Sequence, residues 1–307
     1  MKKILKRIVL ALLVIIVLVQ IPFVYRRIQT GRLAQKLNAE RSAAQTRPPR
    51  TDGFDEYKGV IHVHTALGGH STGGFDELTA AAAANDLDFV VMTEHVSPSY
   101  DTAALTLNGV HGKTLFVGGN EGDTAEGDRM LVVPGGRDVA GLHMLPTKTA
   151  FEKTHAENRL VFIAYAESYK AWDADFDGVE AFSVATNSRT SNPLLFLLDM
   201  IWSFPSYPEL TIASTFKRPD ANLQKYDEVA AKRRISLFGS ICAHSNIGYH
   251  LFGDDVGNQP IGFKIDPYEM VFRLVRLHLL VKKDEPLTRE NLVETFKKGN
   301  FYTGFDV

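Results

Sequence analysis

Residues 59–74 read Gly-Val-Ile-His-Val-His-Thr-Ala-Leu-Gly-Gly-His-Ser-Thr-Gly-Gly and hold three of the chain's ten histidines, His62, His64 and His70. From Val60 to His64 apolar and polar residues alternate. In an extended strand, side chains two apart leave the same face. The pattern predicts a strand that presents His62 and His64 together. A glycine- and serine-rich loop then follows, able to turn His70 toward the same space. Neutral imidazole is the commonest protein ligand for zinc and related ions. Two half-exposed surface histidines give the same local pattern, so the rest of the chain has to supply partners.

Downstream, apolar runs of β type alternate with helical patterns. Runs at 89–92, 115–117, 130–133, 160–164, 178–183 and 235–241 read as strands, and 301–303 as a short one. Helices are predicted over 75–85, with Asp76 and Glu77 in the first turn, and over 290–298 behind Thr288. A third is predicted from Thr149 to Asn158, with Thr149 as cap and Glu152 three residues on. Strand and helix in repetition predict an α/β fold with a mostly parallel sheet. His95, Glu121, Tyr165, Glu180, Cys242 and His244 fall at or just after the C-terminal ends of these strands. In α/β barrels and doubly wound sheets that edge is where sites are built.

Several of these segments resemble the motifs of the PHP (polymerase and histidinol phosphatase) family. His62-Val63-His64 with His70 resembles its first motif, and Thr93-Glu94-His95 its Thr-Asp-His segment. Gly119-Asn120-Glu121 resembles the segment with the bridging carboxylate, and Gly178-Val179-Glu180 a later acidic motif. Ser240-Ile241-Cys242-Ala243-His244 resembles Gly-Ser-Asp-Ala-His. The resemblance covers roughly 59–307 and implies a distorted (β/α)7 barrel holding two or three divalent ions. Carried over residue by residue, one ion takes His62, His64, Glu121 and Cys242, and a second takes His70, His95 and His244. A third would use Glu121 and a histidine that is Tyr165 here, with Glu180 as a remaining ligand. The chain departs from the family at Tyr165 and at Cys242, which stands for an aspartate. A thiolate in the set favours zinc, with manganese or iron as alternatives.

The implied activity is metal-dependent phosphoric ester hydrolysis, with His95 or His244 donating the leaving-group proton. Arg129, Arg189, Lys217 and Arg218 are candidate phosphate clamps. The competing reading is a catalytically degenerate, membrane-tethered metal-binding or scaffold domain.

The chain has 307 residues, 45% of them apolar and 23% charged, with a formal net charge of −2. That composition is globular and gives no argument for a nucleic-acid partner. One cysteine allows no intramolecular disulfide. Lys2, Lys3, Lys6 and Arg7 precede a run from Ile8 to Tyr25 that carries no charge. Its length suits a bilayer, about 17–25 residues, and no small residues mark a cleavage site. The expected organisation is an anchor at 1–25, a polar linker at 26–57 and a metal-binding domain at 58–307. As a single-pass signal anchor it would leave the domain exported, periplasmic or extracytoplasmic. Basic residues at both flanks leave the orientation undecided. Expected partners are the membrane and a small-molecule or lipid phosphate ester. Leu194 to Phe204 is a second apolar run, too short to span, that reads as a lid helix, an interfacial patch or a buried core helix.

Overall fold

The computed structural model describes residues 2–44, 51–188, 192–252 and 261–305. In chain order the elements are α1 (Lys2–Ala44), β1 (Phe54–Val63), α2 (Phe75–Ala84), β2 (Phe89–His95), α3 (Thr102–Leu105), β3 (Gly109–His111), β4 (Thr114–Asp123) and β5 (Arg129–Val133). Then come α4 (Thr147–Ala156), β6 (Leu160–Ile163), β7 (Gly178–Ser183), α5 (Val184–Ser188), α6 (Pro193–Trp202), α7 (Pro208–Ala213), α8 (Asp220–Ala230) and β8 (Ser236–Ser240). The chain closes with β9 (Gly248–Phe252), β10 (Ile261–Lys264), α9 (Tyr268–Val271), β11 (Arg276–Lys282), α10 (Arg289–Lys298) and β12 (Phe301–Gly304). Two compact units result. One comprises Arg50–Asn187 with Lys217–Asp306, the other Met1–Pro49 with Ser188–Phe216.

The first unit is an α/β fold around one mixed sheet in the order β12-β11-β1-β2-β4-β5-β6-β7-β8, with β3 on β4. The pairs β1–β2, β2–β4, β6–β7 and β7–β8 are parallel. The pairs β4–β5, β5–β6, β1–β11 and β11–β12 are antiparallel, which corrects the expectation of a mostly parallel sheet. The reason at β4–β5 is loop length. Residues 124–128 form a tight turn, closed by Thr124 N–H to Asp128 O at 3.0 Å. A parallel crossover needs a dozen residues or more. The sheet curls until the chain leaving β8, at one end of that order, comes back to the end of β1. Val63 bridges Ala243 in parallel, His64 N–H donates to Ala243 O and Ala243 N–H to His62 O, each at 3.0 Å. The result is a nearly closed, mixed, barrel-like sheet.

Alternate residues of each strand face two cores, as a period of two requires. Ile61, Val91, Val117, Leu131, Phe162, Phe238 and Leu279 share one cluster with Leu292 and Phe296 of α10. Val132, Val161, Ile163 and Val179 face the other, against Ala150 and Phe151 of α4. Two boundaries differ from the sequence reading. α4 starts at Thr147, so Thr149 is inside the helix, and the Thr147 N–H finds its acceptor in Glu126 at 2.9 Å. β1 starts at Phe54, within the expected linker, because Phe54 to Gly59 pairs with β11.

In the second unit α1 continues past the apolar run to Ala44, where a polar spacer was expected. Among the described residues it is the one helix long and apolar enough to cross a membrane. α6 and α7 belong to the same unit. Arg26 pairs with Asp199 at 2.5 Å, and Trp202 Nε1–H donates to Gln20 Oε1 at 2.8 Å.

Candidate metal centre

Three residues of the site are placed by left-handed backbone. The β1–β2 register jumps between Ile61↔Val91 and Val63↔Met92, so His62 is the extra residue of a bulge, at φ 69°. His62 and His64 therefore do not converge by simple alternation. The bulge turns His62, and their rings stand 5.1 Å apart. Tyr165 follows β6 at φ 53° and Cys242 follows β8 at φ 47°. Such conformations cost non-glycine residues about 1–3 kcal/mol each and gather at functional sites. His95 ends β2 and pairs in register with Glu121, which lies within β4 rather than after it.

Glu121 is the hub. Its Oε2 lies 3.3 Å from His62 Nε2, 3.2 Å from His64 Nε2 and 3.5 Å from His95 Nδ1. Its Oε1 accepts from Arg129 Nη1 at 2.9 Å. Ligand atoms of His62, His64 and Cys242 lie within 4.8 Å of one another, and so do those of His64, His95 and His244. His64 is thus common to both groups. His70 is exposed, with its ring 4.8 Å from that of His95.

Glu180 faces His62 from behind. Its Oε1 accepts from His62 Nδ1 at 2.5 Å and from the Ser240 hydroxyl. That leaves His62 Nε2 directed at the cluster. His62 Nε2, both nitrogens of His64 and Glu121 Oε2 are buried without a hydrogen-bond partner. Buried polar atoms are paired in the great majority of cases. Imidazole nitrogens, a carboxylate oxygen and a thiol sulfur facing one another are a donor set that fits a divalent transition ion.

The charges support the same fit. Burial opposes ionisation of Cys242, but the adjacent imidazoles of His62, His244 and His64 hold its pKa well below the usual thiol value. Burial likewise opposes charge on Glu121, and His62 and His64 overcome it, keeping the carboxylate ionised. In return the adjacent Cys242 sulfur and Glu121 carboxylate raise His64 to about 9 against its burial. His62 is raised well above its ordinary value against burial, chiefly by Cys242 and Glu180. Protonated imidazoles and a bound cation are therefore alternative ways of balancing the same thiolate and carboxylate. His95 is pushed down to about 3 by burial, so it is neutral and offers a lone pair. Tyr165 is raised by burial and by Cys242 and Glu121, so its phenol stays protonated, 3.5 Å from Cys242 Sγ.

No family model matches the chain, and no curated protein matches it. Solved structures do. PsfC from Pseudomonas syringae PB-5123 is similar at 11% identity and a TM-score of 0.47, over 82% of this chain and 92% of that one. The lesion-specific endonuclease PfuEndoQ from Pyrococcus furiosus is similar at 11% identity and 0.47, over 81% of this chain. Endonuclease Q in complex with a 27-mer duplex bearing an abasic lesion gives 12% and 0.43. The chain spans 58% of the length of either endonuclease chain.

Of the candidate clamps, Arg129 is engaged by Glu121 and, through two nitrogens, by Asp123, with Tyr165 beneath its guanidinium at 5.7 Å. Arg218 pairs with Asp220 at the surface. The Lys217 backbone bonds Asn187, and Arg189 lies outside the described residues. The sequence reading did not single out Glu94 or Ser240. Glu94 is fully buried and accepts from Thr65 N–H at 3.0 Å, Thr65 Oγ1 at 2.6 Å and Thr106 Oγ1 at 2.9 Å. Its one signal was a carboxylate beside His95 in Thr93-Glu94-His95.

Proposed function

We propose that the chain is a membrane-anchored, metal-dependent phosphoesterase of PHP type. The observation that carries the reading is the convergence of His62 Nε2, His64 Nε2 and Glu121 Oε2, all buried and unpartnered, beside Cys242. His62, His64, Glu121 and Cys242 would hold one ion, and His95 and His244, with His70 at the exposed side, a second. Zinc suits the sulfur-containing set best. Bound there, a divalent ion would supply a Lewis acid that neutralises phosphoryl oxygens and makes hydroxide available near neutral pH. Glu180 is assigned to orienting His62, the carboxylate–histidine arrangement common behind metal ligands, rather than to binding metal itself. Arg129 fixes Glu121 and is no free clamp. The neutral His95 is unsuited to donating a proton, and His244 would serve the leaving group only when its Nε2 is not holding the second ion. His244 Nδ1–H donates to Cys242 O at 2.9 Å, which leaves Nε2 as its free ring nitrogen. Residues 1–25 would anchor the protein as an uncleaved signal anchor, with the barrel exported. The substrate would be a small-molecule or lipid phosphate ester.

Tyr165 supports a second reading, a metal-binding domain without turnover, because its protonated phenol stands at a ligand position next to Cys242. One experiment separates the two. Full-length protein is purified with zinc, analysed for bound elements, and assayed on p-nitrophenyl phosphate and bis(p-nitrophenyl) phosphate beside Cys242→Asp. Stoichiometric metal with hydrolysis by the wild type is expected. Metal-loaded wild type that is silent while Cys242→Asp turns over establishes the second reading. Protein that retains no metal overturns both.

A further inference from the structure

α6 is built inside out. Its exposed residues Leu194, Leu197 and Ile201 recur at i, i+3 and i+7, with Leu195 exposed beside them. A helix of a water-soluble unit turns that apolar stripe inward and its polar face out. Here the polar groups are turned onto α1. Asp199, the one charged residue of α6, pairs with Arg26, and the Trp202 indole N–H donates to Gln20. Arg27 reaches the Trp202 carbonyl at 2.5 Å and Ser206 Oγ at 3.0 Å, and Phe23 is buried. The start of α6 is closed as well, with Pro193 in its first turn and Asn192 Oδ1 accepting from Leu194 and Leu195 N–H.

The contact lies at a particular level of α1. Gln20 to Arg27 is where the uncharged run ends and basic side chains begin. In a spanning helix that is the headgroup boundary, the layer in which tryptophan and basic residues concentrate. Ten residues of helix extend about 15 Å, too short to cross a bilayer and suited to lying along its surface. The apolar residues of α1 from Ile8 to Val19 are themselves exposed in the same unit.

We propose that α6 is a second membrane element, an interfacial helix embedded in the boundary layer of the same bilayer that α1 enters. The occupant of its exposed face is lipid acyl chain. The stripe Leu194, Leu197 and Ile201 enters the lipid, and Asp199 stays on the α1 side, neutralised by Arg26. The inference rests on the reading of α1 as a membrane anchor, and its test separates the two.

The full-length chain, with Cys242→Ser so that no other thiol reacts, is labelled with a nitroxide in turn at Leu197→Cys, Leu194→Cys, Val14→Cys and Glu228→Cys. It is reconstituted into vesicles of phosphatidylethanolamine and phosphatidylglycerol. Collision with oxygen, which partitions into lipid, is compared with collision with a water-soluble nickel(II) complex. Labels at 194 and 197 are expected to match that at 14, with nickel accessibility several-fold below that at 228 on α8. Nickel access at 194 and 197 with 14 shielded overturns the interfacial helix and leaves the anchor standing. Nickel access at 14 defeats the anchor reading and the inference with it. Spin–spin broadening at 197 that disappears on dilution with unlabelled protein makes a second copy the occupant, and overturns the proposal.

Discussion

At the scale of single residues, the donors of the site were readable because they stand in or just beyond apolar runs that read as strands, although Glu121 and His62 lie inside their strands. What holds them was not readable, because the partners are distant in sequence. Glu94 is the clearest case. Thr65, 29 residues earlier, and Thr106, 12 later, give it three hydrogen bonds, all buried. The Thr65 contacts fix the chain directly after His64. Removing the acceptor leaves these donors buried without partners, at a cost of about 1–3 kcal/mol for each that water does not reach. Glu94→Ala should therefore lower stability by about 3 kcal/mol or more, read as a shift of the denaturant midpoint. A loss under about 1 kcal/mol would show that this carboxyl does not organise the loop. The left-handed turns at His62, Tyr165 and Cys242 were equally hidden. Glycine or asparagine would have announced them, and none of the three residues does.

At the scale of elements, strand existence followed from apolar runs, but strand direction did not. A run at 130–133 reads the same whether its neighbours are parallel or antiparallel, and only the five-residue turn before it decides. β11 escaped notice although Leu277, Leu279 and Val281 alternate with partly exposed residues. The junction of α4, β6 and β7 carries a pH-dependent prediction. Asp177 Oδ2 accepts the Val161 N–H at 2.8 Å and also meets His155 Nε2 at 2.9 Å. The hydrogen bond to Asp177 raises the His155 pKa against partial burial, with Asp177 and Asp175 charges adding to it. A raised folded-state pKa contributes stability that is complete below the unfolded value, about 6.5. It is lost as pH rises through the folded value. His155→Gln should thus cost about 0.5–1 kcal/mol at pH 6, allowing for solvent screening, and less at pH 9. Equal midpoint shifts in denaturant titrations at the two pH values would remove His155 from the account of how the helix is held.

At the scale of the whole molecule, the barrel unit was largely legible as an α/β domain with histidines gathered at strand ends, and the second unit was not. An apolar N-terminal run is visible in sequence. That residues 188–216 belong with it is a tertiary fact, set by Asp199 and Trp202 meeting Arg26 and Gln20. Within the barrel unit a weak place is the seam between β1 and β8. Each neighbouring pair in the strand order shares two or more paired residues, but here one bridge, Val63 to Ala243, carries two hydrogen bonds. The donors straddle it. His62 and His64 stand on the β1 side, Cys242 and His244 on the β8 side. An ion held by His62, His64 and Cys242 therefore cross-links the two edges. Opening the seam then requires breaking coordination as well as two hydrogen bonds. Local opening free energies govern amide exchange, and a ligand at a hundred times its dissociation constant adds about 2.7 kcal/mol to any opening that releases it. The His64 and Ala243 amides should accordingly exchange about a hundredfold more slowly in saturating zinc than after chelation. The Val132 and Leu237 amides, in paired stretches of β5 and β8, should change less. Unchanged protection at His64 and Ala243 in zinc-loaded protein would mean that metal does not bind across the seam, and the first donor set would have to be redrawn without Cys242.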